Sequence, residues 1–161
     1  MRVEFLGTGT STGVPMIGCR CDVCRSKDSR DRRLRSSVCL TVDDKNILID
    51  CGPDFRQQML RSGIDHIDAV LLTHEHYDHT SGLDELRNFS RNNPIPIYAE
   101  PNVLDIIHQR LFYCFSKQPN PGVAHLELKA IENLSPFTLF GIDIEPVRVW
   151  HYRLPIIGYR I

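Results

Sequence analysis

The stretch Thr73-His74-Glu75-His76-Tyr77-Asp78-His79 follows directly on the apolar run Asp68-Ala69-Val70-Leu71-Leu72. The run is short, continuous, and rich in leucine and valine, so it reads as a buried strand. Side chains two apart on an extended segment point the same way, and His74 and His76 can therefore bind one cation together. If the chain then turns, Asp78 and His79 can face a second cation close by. Imidazole plus carboxylate suits zinc, iron or manganese, and unfilled coordination positions leave room for water. The plain alternative is a polar strand-to-helix loop that happens to be histidine-rich. The density and order of these donors argue against it.

Upstream, Val3–Leu6 reads as a first strand running into Gly7-Thr8-Gly9-Thr10-Ser11-Thr12-Gly13. Its glycines miss the G-x-G-x-x-G spacing of a dinucleotide loop. They fit a small-residue loop that lets the backbone approach something closely. Cys19-Arg20-Cys21-Asp22-Val23-Cys24 comes next. Three thiols in this spacing can converge on one structural zinc that takes a fourth ligand from elsewhere; free thiols or a disulfide pair are the alternatives. Cys39, Cys51 and Cys114 stand singly among apolar residues and read as core thiols. Arg25–Arg35 is charge-dense and reads as a solvated loop, with closeness to an anionic substrate as the second reading.

Ser37–Val42 and Asn46–Asp50 read as strands joined by Asp43-Asp44-Lys45, and Asp50 at a strand end can orient a metal-binding histidine. Pro53 and Gly63 bracket a helix with Phe55, Met59 and Leu60 inward. After the histidine stretch, Ser81–Arg91 reads as a helix with Leu83, Leu86 and Phe89 inward. Pro94–Ala99 reads as an edge strand because of its prolines. Asn102–Phe115 has helical spacing, with His108 as a surface or packing residue. Pro119-Asn120-Pro121-Gly122 is turn-rich. Strands follow at Leu126–Ile131, Phe137–Phe140 and Ile142–Trp150, and the stretch ending at Ile161 also reads as a strand.

At 161 residues with 42% hydrophobic content, the chain reads as a single domain over residues 1–161 with a real core. A net charge of -1 offers no basic field for nucleic acid. No apolar run approaches membrane-spanning length and the start lacks a signal-peptide core, so a cytoplasmic protein with reduced or metal-bound thiols is expected.

His-x-His-x-Asp-His after a buried strand resembles the signature of the metallo-β-lactamase superfamily. Together with Gly-Thr-Gly-Thr-Ser and C-x-C-x₂-C, it is similar to the phosphoribosyl 1,2-cyclic phosphate phosphodiesterase branch. The resemblance implies an α/β fold, a metallo-β-lactamase-like αββα sandwich of which this chain holds the N-terminal portion. It implies that His74, His76 and His151 hold one cation, and that Asp78 and His79 hold another. It further implies that Asp78 takes the nucleophile's proton and that the cations are zinc or manganese. Cys19, Cys21 and Cys24 would hold a structural zinc. A bridging aspartate, a final histidine and the fourth ligand of the cysteine zinc lie beyond this length in the family, so a fragment incomplete at its C-terminus is expected.

The implied reaction is hydrolysis of a small phosphodiester, a cyclic nucleotide-like or sugar cyclic phosphate, by hydroxide shared between two cations. The runner-up is a tRNA 3′-end-processing type of endonuclease, which would normally carry a basic arm that is not seen here. A metal-binding fragment without activity is the third reading.

Overall fold

Two apolar faces on most of its strands force this chain into layers. The computed structural model describes residues 1–118 and 120–161. Strands β1 (Arg2–Gly7), β2 (Ser37–Val42) and β3 (Lys45–Ile49) form an antiparallel meander. A short helix α1 (Asp22–Arg25) lies in the loop between β1 and β2. Helix α2 (Phe55–Ser62) then crosses to β4 (Ala69–Leu71), which pairs parallel with β3. A single helical turn α3 (Tyr77–Thr80) and a 3-10 segment at Leu83–Asn88 lead to β5 (Ile95–Ala99). Helix α4 (Pro101–Arg110) crosses to β6 (Leu126–Ala130). The six strands lie in chain order, β1 to β6. A second sheet holds β7 (Phe137–Leu139), β8 (Ile142–His151) and β9 (Leu154–Arg160), all antiparallel.

The large sheet is apolar on both sides. Leu48, Val70 and Ile97 point toward the helices and pack with Phe55, Met59, Val103 and Ile107. Leu40, Ile47, Ala69 and Leu71 point the other way and meet Leu139 and Ile144 of the second sheet. Tyr98 stacks on Phe137 across that interface, with ring centroids 5.1 Å apart. The layers are therefore helix, sheet, sheet, the α/β arrangement expected for the N-terminal portion of the αββα sandwich. In open sheets with parallel strands, ligands gather beyond the carboxyl ends of the strands, and here β3, β4 and β8 all deliver donor residues at that end.

Several expectations are corrected. Leu60 is 65% exposed, and Gln58 takes the third inward position on α2 with Phe55 and Met59. Gln58 hydrogen-bonds the Arg35 carbonyl at 2.9 Å, so its burial is satisfied. β5 is not an edge strand, since it lies between β4 and β6. Its prolines are tolerated because β4 pairs only with Ile97 and Tyr98, leaving Pro96 beyond that ladder. The helix expected over 81–91 is a 3-10 segment of six residues, and the one expected over 102–115 ends at Arg110 before a short 3-10 turn. His108 is exposed and stacks on Phe115. Arg35 is not simply solvated: it pairs with Asp54 at 2.9 Å and donates to the Ser11 carbonyl. Of the turn expected at 119–122, Pro119 lies outside the described residues, while Pro121 and Gly122 form a turn. No helix among the described residues is long and apolar enough to cross a membrane.

Candidate metal centre

Beyond the end of β3 the chain breaks at Asp50, whose φ of 60° is unusual for a residue other than glycine. This turn aims its carboxylate at the neighbouring strand end. Asp50 is 5% exposed, yet its oxygens are filled. Thr73 N and Thr73 Oγ1 donate to it at 2.8 and 2.9 Å, and His79 Nδ1 at 2.7 Å. Because the Thr73 hydroxyl spends its proton on Asp50, it accepts from His74 Nδ1 at 2.8 Å. Both rings thereby have Nδ1 engaged, which leaves Nε2 as the nitrogen each can offer to a cation.

That arrangement leaves a telling atom. His74 Nε2 is buried and has no hydrogen-bond partner in the protein. A buried polar atom without a partner is costly and calls for an explanation. Donor atoms of His74, His76 and His151 all lie within 4.8 Å of one another, and with His74 Nδ1 taken by Thr73 the orphaned Nε2 is the atom left to share a cation with the two further imidazoles. Burial, more than the neighbouring His79, lowers the His74 pKa to about 4. The ring therefore stays neutral and ready to ligate at ordinary pH. A cation held there would give the buried nitrogen a partner, and the donor set fits zinc.

Asp78 and His79 lie beside this trio. The His79 ring centroid is 4.2 Å from that of His74, and His79 Nε2 is 3.2 Å from Asp78 Oδ2. Burial works against charge on His79, but Asp50 and Asp78 outweigh it and raise the pKa above the usual histidine range. A proton or a cation between Nε2 and the Asp78 carboxylate satisfies the pair. α3 is held close by glycine: a Cβ on Gly52 would sit 2.0 Å from the Asp78 carbonyl oxygen.

The donors line one cavity of about 730 Å³, shared with Gly9, Thr10, Ser11, Ser36 and Trp150. The Gly-Thr-Gly-Thr-Ser loop thus borders the site. None of the arginines of residues 25–35 lines it. Sequence reasoning missed Thr73, Ser36 and Trp150; only Thr73, adjoining the first histidine at a strand end, carried a local signal. Cys19, Cys21 and Cys24 form a separate group, their sulfurs within 4.8 Å of one another at the surface. Cys39, Cys51 and Cys114 are buried in the core, as expected.

Residues 45–161 match the family described as the beta-lactamase superfamily domain. The chain belongs to the beta-lactamase superfamily. Among solved structures, a diphosphatase from the PhnP family superposes with a TM-score of 0.88 and 42% identity, over 98% of this chain and 60% of that one. Zinc-bound PqqB from Methylobacterium extorquens superposes with a TM-score of 0.73 and 27% identity, over 99% of this chain and 58% of that one. A protein of Porphyromonas gingivalis named octanoyltransferase is 54% identical over the whole chain, which spans 33% of that relative. This superfamily member therefore parallels only part of each of these proteins.

Proposed function

We propose that the chain carries the metal-binding half of a hydrolase that cleaves small phosphodiesters. The observation that carries this reading is the orphaned Nε2 of His74, buried in the same cluster as His76 and His151. The likeness to a diphosphatase at 42% identity supports phosphorus as the electrophile. His74, His76 and His151 would hold one cation, and Asp78 and His79 a second. Zinc in these positions supplies Lewis-acid polarisation of phosphoryl oxygens and makes water more acidic.

The chain's own residues do the rest. Asp50 and Thr73 engage the Nδ1 atoms of His79 and His74, so that Nε2 is the nitrogen each ring turns to the cavity. Asp78 receives the proton of the attacking water on its carboxylate. The loop at Gly9–Ser11 offers small side chains and backbone groups on which an anionic ester can rest. Zinc at the cysteine trio would be structural, bracing the loop before β2. Manganese is the alternative at the histidines. A small ester is favoured over nucleic acid, given a net charge of -1 and a cavity without arginine or lysine among the described residues.

Acyl transfer, the activity in the name of the Porphyromonas gingivalis relative, is not favoured. The match covers a third of that protein, and no cysteine or lysine lines the cavity here among the described residues. The test is release of p-nitrophenol from bis(p-nitrophenyl) phosphate with zinc or manganese, alongside metal stoichiometry. With only Asp78 and His79 on the second cation, residues 1–161 should bind one cation at the histidines tightly and the other weakly, with negligible turnover. A longer protein carrying this sequence should turn over readily and lose nearly all activity in Asp78→Ala or His76→Ala. Full activity in either variant would refute the reading.

A further inference from the structure

Strands β8 and β9 meet in a two-residue turn, Tyr152 and Arg153, between the paired residues His151 and Leu154. The hairpin surrounds the candidate ligand His151 with three large side chains. Trp150 lines the metal cavity and is still 65% exposed. Tyr152 is 85% exposed and sits at φ 57°, a left-handed conformation that bulky residues rarely adopt. The Arg153 guanidinium carbon lies 5.3 Å from the centre of the Tyr152 ring.

These features point one way. The indole of Trp150 borders the cavity that gathers the histidine donors, and an aromatic face in that place suits a flat partner. The positive φ at Tyr152 is what the first residue of a two-residue hairpin turn adopts, and it sets Tyr152 and Arg153 at the hairpin tip next to Trp150. The other described residues on the cavity wall are histidines, Asp78, Ile156 and small residues of the Gly9–Ser11 loop and Ser36, so Trp150 is the largest aromatic face among them.

We propose that Trp150 is a stacking platform for the nucleobase of a nucleoside phosphate whose phosphate lies at the histidine cluster. Every nucleobase has a π face, and stacking on an aromatic side chain is favourable whatever the base. Tyr152 and Arg153 extend the platform outward and add a cation beside the ring. The inference rests on the phosphoester reading above and narrows it, favouring phosphoesters that carry a nucleobase over bare sugar phosphates.

Trp150 is the chain's single tryptophan, so its emission reports on this face alone. The zinc-loaded chain is titrated with AMP and, separately, with ribose 5-phosphate, which keeps the sugar and phosphate but lacks the base. AMP should quench the emission, and ribose 5-phosphate should leave it nearly unchanged. By calorimetry, Trp150→Ala should weaken AMP about tenfold without altering ribose 5-phosphate, and Trp150→Phe should restore most of the loss. The residue is exposed, so both variants should fold, as checked by their melting temperatures. Equal responses to the two ligands, no response to AMP, or unchanged AMP affinity in Trp150→Ala would each overturn the inference. Binding is read without turnover, so the two readings fail separately. Base-selective quenching without any hydrolysis in the longer protein would sink the hydrolase reading alone, whereas diester hydrolysis without base selectivity would sink this one alone.

Discussion

The histidine cluster and the cysteine cluster each gather three donor atoms within 4.8 Å, yet the protein builds them in opposite ways. His74 is 4% exposed and tied through Thr73 and Asp50 to the ends of two central strands. Cys19, Cys21 and Cys24 sit around α1, a four-residue helix with no buried residue. Their mutual contacts are local, such as the Cys24 amide donating to the Cys21 sulfur at 3.5 Å. One site is held in place by the fold. The other is a loop whose order a metal can supply.

The strongest way to break this contrast is at Gly52. A Cβ there meets the Asp78 carbonyl oxygen at 2.0 Å, so α3 or the β3 end must move. Gly52→Ala should cost about 3 kcal/mol of stability in urea unfolding and abolish binding of the second cation in a zinc titration. Wild-type behaviour on both counts would mean that α3 is not held by this close approach.

Asp50→Ala should follow in size. It strips the acceptor from the half-buried Thr73 amide and from His79 Nδ1, a loss of about 2 kcal/mol. Zinc affinity at the histidines should drop by about 10–100-fold. An unaltered zinc isotherm would show that the carboxylate plays no part in orienting the ligands.

Replacing Cys19, Cys21 and Cys24 by serine should lower bound zinc by one per chain and leave zinc-free stability within about 0.5 kcal/mol of wild type. The difference should emerge as proteolysis: zinc should protect the segment around residues 16–26 in wild type but not in the variant. A large loss of zinc-free stability would place the cysteine loop on the same footing as the histidine site.

The smallest effect sharpens the comparison with a histidine outside both clusters. His66 is held above its ordinary pKa, first by its hydrogen bond to the Asp65 carboxylate, then by the Asp44 carbonyl and the charge of Asp68. A pKa raised on folding contributes stability that is fully present below pH about 6.5 and is lost as pH rises through the folded value. His66→Ala should therefore destabilise at pH 5.5 and have no ion-pair effect at pH 9. The side chain is half exposed, so screening limits the difference to roughly a few tenths of a kcal/mol. An equal loss at both pH values would assign it to packing.

The donors at 74, 76, 78 and 79 and the trio at 19, 21 and 24 were legible because side-chain direction over a few residues is a local property. The burial of Ala69–Leu72 and the Gly63 stop of α2, at φ 73°, were legible for the same reason. Leu60 misled because helical spacing gives a face without saying how wide a stripe the sheet covers. Pro96 misled because a missing amide matters only where a neighbour pairs, and the length of β4 is not written in β5. The 3-10 geometry of Leu83–Asn88 escaped because its apolar spacing also fits an α-helix.

By itself, then, the amino-acid sequence determined the order and spacing of the donors, the apolar strand that carries them and the sheet-rich α/β class, since each depends on short-range backbone geometry. The family resemblance already pointed to His151 as the third donor, and the tertiary structure brings it to the pair; only that structure decided that Asp50 grips His79 and that Trp150 stands at the cavity wall. Those contacts join residues from separate strands and separate sheets. They exist because strand order and the packing of the two sheets bring the strand ends together, and no local pattern encodes that long-range burial.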